Sequence, residues 1–166
     1  MRQTSRNETW FDAPPEAIWR YIGDAHTYPD WVVGSAESRK VDPTYPNPGS
    51  TLHHTQGVPK VGLKDTTSVV DADPPEQLEL EVRIRPFAVN GVRFVLRANG
   101  NGRTHVTMLE WPKYGLVSRL MGPLFVPALQ VRNAETMRRL KKLSEQEASP
   151  ASEKRAGQGR RERRLR

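Results

Sequence analysis

The run Gln77-Leu78-Glu79-Leu80-Glu81-Val82-Arg83-Ile84-Arg85 alternates polar and apolar residues without a break. Neighbouring side chains on an extended strand point to opposite faces, so Leu78, Leu80, Val82 and Ile84 share a dry face and the charges share a wet one. This is the pattern of an antiparallel sheet with one face solvated, and its dry face needs a covering layer. The neighbouring sequence supplies further strands. Asn90-Gly91 reads as a hairpin turn, followed by a strand over 92–98 with Val92, Phe94 and Leu96 inward. Asn99-Gly100-Asn101-Gly102 makes a second turn, and a strand over 104–111 follows, ending at Pro112. Segments 8–13, 32–41, 50–56 and 63–71 complete a set of seven.

Two short helices are expected after the first strand. Pro14-Pro15 suits a helix start, where the first N–H groups have no partners to lose. Ile18, Trp19 and Ile22 then form an apolar stripe, Gly23 ends the helix, and Asp24 caps a second one that reaches Tyr28. Residues 113–145 read as a long helix, interrupted near Gly122-Pro123 and Pro127. Beyond Pro127, helical spacing puts Leu129, Asn133, Thr136, Met137, Leu140 and Leu143 on one face. The sum is an α+β arrangement: a curved seven-stranded antiparallel sheet wrapped around a long C-terminal helix. A sheet so curved leaves room for a ligand between the two layers.

Composition narrows the function classes. The chain has no cysteine, which excludes disulfides, a thiol nucleophile and zinc–thiolate sites. No apolar run approaches the roughly 18 residues of a membrane span, and the first ten residues have no signal-peptide core. A cytoplasmic location is the expectation. Of the net charge of +7, residues 146–166 carry +4, leaving an ordinary +3 on residues 1–145. The expected division is therefore a domain over 1–145 and a basic, disordered tail over 146–166. No specific nucleic acid is expected as partner. The tail, which includes Arg160, Arg161, Arg163, Arg164 and Arg166, offers at most weak contact with a polyanion or an anionic membrane.

Several stretches, in order, resemble one family. They are Phe11-Asp12-Ala13-Pro14-Pro15-Glu16-Ala17-Ile18-Trp19, Tyr28-Pro29-Asp30-Trp31, Asp73-Pro74-Pro75-Glu76-Gln77-Leu78, Gly102-Arg103-Thr104-His105-Val106-Thr107-Met108, and Arg132-Asn133 followed by Leu140-Lys141-Lys142-Leu143. Together they resemble the START-like and Bet v 1-like (SRPBCC) superfamily, and within it the polyketide cyclase/dehydrase and lipid-transport group. The resemblance implies the helix-grip fold and a pocket for a small hydrophobic molecule. It does not fix the chemistry, since members include cyclases as well as carriers.

Candidate site residues follow from strand and helix faces. Glu110 shares parity with Val106 and Met108, so it is expected inward, where a carboxylate in an apolar cavity acts as acid or base. His54 shares parity with Leu52 and is the second candidate for proton transfer; a half-exposed strand histidine with no task is the simpler alternative. Leu80, Phe94, Met108, Leu120, Leu124 and Leu129 are expected to form the apolar wall. Asn133 lies on the apolar helix face and needs partners, from a ligand or from the protein. Trp31, with Tyr28, either closes the pocket mouth or packs a small core. No metal or other cofactor is implied: His53 and His54 point to opposite faces of a strand, and no phosphate-cradling glycine motif is present. A hydrophobic ligand carrier, an aromatase/cyclase working through orientation and proton transfer, and a module docking through its tail all remain open.

Overall fold

The computed structural model describes residues 4–56, 63–84, 88–115 and 125–149. Seven strands form one sheet: β1 (Ser5–Phe11), β2 (Ser35–Val41), β3 (Thr51–Gln56), β4 (Leu63–Asp73), β5 (Gln77–Ile84), β6 (Ala88–Ala98) and β7 (Thr104–Gly115). Their order is β1-β7-β6-β5-β4-β3-β2 and every neighbouring pair is antiparallel. Helix α1 (Pro15–Ile22), a 3₁₀ turn (Ala25–Thr27) and α2 (Tyr28–Trp31) follow β1, and α3 (Phe125–Ala148) closes the chain. This is the curved sheet and C-terminal helix of a helix-grip-like α+β fold.

The dry face of β5 is where the alternation puts it. Leu78 and Leu80 are buried, and across the sheet they meet Val92, Phe94 and Leu96 of β6 and Val106 and Met108 of β7. On the wet face Glu79 accepts from Arg93 Nε at 2.8 Å and Glu81 accepts from Lys113 Nζ at 2.9 Å, cross-strand pairs that cover the outer surface. Helix α3 lies against β1, α1 and α2, burying Leu129, Asn133, Thr136, Met137, Leu140 and Ser144. Thr136 Oγ1 accepts from the Val33 backbone N–H at 3.2 Å, which ties the helix to the segment after α2.

Two details depart from the sequence reading. Asn90-Gly91 is not a turn: both residues lie inside β6, opposite Pro112 and Trp111 of β7. Gly91 serves close approach instead. A Cβ there would sit 2.3 Å from Trp111 Cε2, so the indole occupies the space a side chain would take. Strand β7 also continues through Pro112 to Gly115, so residues 113–115 extend the sheet rather than open the helix. An irregularity between Val89 and Asn90 absorbs the break in pairing next to that proline, which cannot donate to the ladder. Leu120, Leu124 and the tail beyond residue 149 lie outside the described residues.

Candidate functional site

The inner face of the sheet and the facing side of α3 do not fill the space between them. The cavity encloses about 590 Å³ of atom-free space, the open solvent at its mouth included. Trp31, Leu80, Val82, Val92, Phe94 and Met108 supply its apolar wall. Trp31 is 1% exposed and packs edge-on against Phe94, with ring centroids 5.8 Å apart, while its Nε1 donates to Thr27 Oγ1 at 3.1 Å. It is a core residue and a cavity wall at once. Tyr28 stands beside it, its hydroxyl donating to the Ile22 carbonyl at 2.9 Å.

Polar side chains reach the cavity from two ends. At the β7 end is Glu110, 1% exposed. The apolar surroundings expected for it are absent, because three donors converge on its carboxylate. Asn90 Nδ2 donates to Oε1 at 2.8 Å, and Asn133 Nδ2 donates to Oε2 at 2.8 Å. Arg132 Nη2 donates to the same Oε2 and forms an ion pair with it. Arg132 also donates through Nε and Nη2 to Asn133 Oδ1, at 3.1 and 2.9 Å. The network therefore spans β6, β7 and α3, and Asn133 Nδ2 adds a long contact to Ser5 Oγ of β1 at 3.4 Å. Each amide orientation is fixed by what it faces: turned over, either would aim a carbonyl oxygen at a carboxylate. Asn90 Oδ1 is left buried without a partner among the described residues.

At the other end His54, 5% exposed, shares a hydrogen bond with Thr67 through Nε2 at 3.0 Å. Burial, helped by the nearby Arg39 and His53 charges, pushes its pKa down to about 4, so the ring is neutral at pH 7. Asp65 lies buried in register with His54 on β4. Ser35 Oγ, at the start of β2, also lines the cavity and has no partner among the described residues.

Of the residues expected from sequence, Trp31, His54, Leu80, Phe94, Met108 and Glu110 all line the cavity. Leu129 is buried outside that lining, and Asn133 stands one hydrogen bond behind it. Glu110 and His54 share the cavity lining but no hydrogen bond. Their strands are four positions apart in the sheet, roughly 19 Å if it were flat. Two contributors lie where the sequence pattern does not point. Arg132 flanks the apolar stripe of α3 and reaches the cavity with its long side chain, and Asn90 sits in an Asn-Gly pair that reads as a turn although it shares parity with Val92 and Phe94.

The family of polyketide cyclases/dehydrases and lipid-transport proteins matches residues 2–145. The chain belongs to that family. A search of curated proteins finds no match. Among solved structures, the Zhui aromatase/cyclase from Streptomyces sp. R1128 superposes with a TM-score of 0.69 at 12% identity, covering 91% of this chain and 98% of that one. Protein CV1439 from Chromobacterium violaceum gives 0.67 at 16% identity, with 86% and 98% covered. The di-domain aromatase/cyclase StfQ of the steffimycin pathway gives 0.63 at 13% identity, covering 93% of this chain and 52% of that one. At such identities the likeness to these structures is one of fold. Among the described residues, no three His, Asp or Glu side chains converge as a metal cage, and no helix is long and apolar enough to cross a membrane.

Proposed function

We propose that this polyketide cyclase/dehydrase family member binds a small, largely hydrophobic molecule in the cavity between its sheet and α3. The observation that carries the reading is the unfilled apolar wall of Trp31, Leu80, Val82, Val92, Phe94 and Met108. Protein interiors are ordinarily packed to crystal density, so an apolar hollow bounded by six large side chains is an exception that a guest explains. Family membership supports it. Native mass spectrometry of the freshly purified protein tests it by looking for a co-purified molecule, with Leu80→Phe as control. The larger ring takes up cavity space at a cost of about 1–3 kcal/mol in packing strain, and the bound mass is expected to disappear. An adduct that survives Leu80→Phe unchanged sits somewhere else and overturns the reading.

A second reading is an aromatase/cyclase. Its support is that two side chains able to carry protons, Glu110 and His54, line the same cavity, as a cyclisation directed by orientation requires. With strands four positions apart in the sheet, the two serve different atoms of an extended substrate in this reading. Loss of turnover with retained affinity in Glu110→Gln favours this reading, and equal turnover of the two proteins counts against it.

A further inference from the structure

Arg132 brings the only cationic side chain among the described lining residues, and it arrives already engaged. One of its terminal nitrogens, Nη2, is paired with Glu110, and Nε is held by Asn133. The other terminal nitrogen, Nη1, makes no bond among the described residues, so two N–H donors stay uncommitted on a guanidinium that lines the cavity. The charge of that guanidinium is balanced by a carboxylate within hydrogen-bonding distance. Among the described residues no second cation faces the cavity: Tyr28, Thr67 and Ser35 carry no charge, and His54 is neutral at pH 7.

We infer that the cavity selects guests whose polar end is a neutral hydrogen-bond acceptor, a ketone or similar carbonyl, and rejects free carboxylates. The inference rests on the binding role proposed above and names the chemistry of the guest's head. A carbonyl oxygen takes the free N–H groups of Arg132 without disturbing the ion pair. A carboxylate at the same place sets a second negative charge beside the buried Glu110, with one guanidinium to serve both. Ser35 Oγ gives a second polar atom of the guest a partner.

A matched pair of probes tests this. 2-Acetonaphthone and 2-naphthoate have nearly the same shape and differ in replacing a methyl ketone by a carboxylate; naphthalene is the apolar reference. Binding is followed by calorimetry and by quenching of tryptophan fluorescence. The wild-type protein is expected to prefer the ketone to the carboxylate by at least tenfold. Any oily cavity shares part of that preference, so the deciding variant is Glu110→Gln, which removes the competing charge and frees Arg132. In that variant 2-naphthoate is expected to gain at least tenfold while the ketone changes less than threefold. An unchanged ratio overturns the inference. If the variant does not fold, the carbonyl stretch of ¹³C=O-labelled 2-acetonaphthone bound to wild-type protein decides: donation from Arg132 moves it to lower frequency than in hexane, and a hexane-like frequency overturns the inference. Failure of all three probes, naphthalene included, to bind the wild-type protein instead defeats the cavity reading itself.

Discussion

Replacing Arg132 by Met isolates what the ion pair at the end of the cavity does for the fold. Methionine keeps most of the unbranched stem and its packing, and removes the guanidinium. Glu110 is 1% exposed, so its carboxylate would then stay in the interior with two amide donors and no opposite charge. Breaking a buried pair by removing one partner costs about 3–5 kcal/mol. Two features reduce that here. Asn90 and Asn133 continue to donate, and the Arg132 side chain is 31% exposed, so water reaches the vacated place. About 2–3 kcal/mol is the resulting expectation. The unfolding entropy of a body of about 145 residues is roughly 0.3 kcal/mol/K near the midpoint, which turns that loss into a fall in Tm of about 7–10 °C. Thermal unfolding followed by circular dichroism measures it. The sharper assay is the cycle with Glu110→Gln. If the cost comes from an uncompensated charge, removing the charge must restore part of the stability, and the double variant should be about 2 kcal/mol more stable than the two single losses predict. Strict additivity would refute the reasoning, since it would mean that Arg132 acts through packing alone.

Two further perturbations probe the rest of the structure. His54 titrates near pH 4 when folded and near 6.5 when unfolded, so between those values the unfolded chain binds the extra proton and stability falls as pH falls. Nothing is lost above pH 6.5, and the loss levels off below pH 4 at up to about 3 kcal/mol; His54→Gln should flatten that part of a denaturation-versus-pH profile, and an unaltered slope would reject the assignment. Gly91→Ala drives a methyl group into the ring of Trp111, which must swing away from its place beneath Arg93; the expected cost is about 1–3 kcal/mol with a red-shifted tryptophan emission, and an unshifted spectrum with full stability would show that the close approach is not needed.

The parts of this fold that were legible from sequence are those set by a period. The alternation of Leu78, Leu80, Val82 and Ile84 placed β5 and its dry face, and the parity of Val106, Met108 and Glu110 turned the carboxylate inward, where it is found. The spacing of Leu129, Asn133, Thr136, Met137 and Leu140 likewise gave the buried side of α3. What escaped were positions where a tertiary contact outweighs the local preference. Asn-Gly is a strong turn signal because both residues tolerate positive φ, but Gly91 is required small by Trp111 and Asn90 is required polar by Glu110. Neither requirement is visible in any short window. Arg132 escaped for a related reason: a long side chain beside the apolar stripe reaches back across the helix surface, so the position of its Cα does not say where its charge goes.

That reach ties the stability of the protein to its binding site. The Glu110 cluster is the main polar link between α3 and the strands β6 and β7, and Arg132 is both a member of the cluster and part of the cavity wall. A fully apolar cavity would hold a guest with no preferred orientation, whereas a cavity ending in an unpaired charge would be costly to bury when empty. Pairing Arg132 with Glu110 avoids both. The empty protein keeps its charges balanced, and the spare N–H groups of the guanidinium still give a guest one end to prefer. The same arrangement limits the guest. Anything that draws Arg132 fully to itself also takes away the partner of Glu110 and loosens the helix from the sheet. Guests that borrow a hydrogen bond are therefore compatible with the closed fold, and guests that compete for the charge work against it.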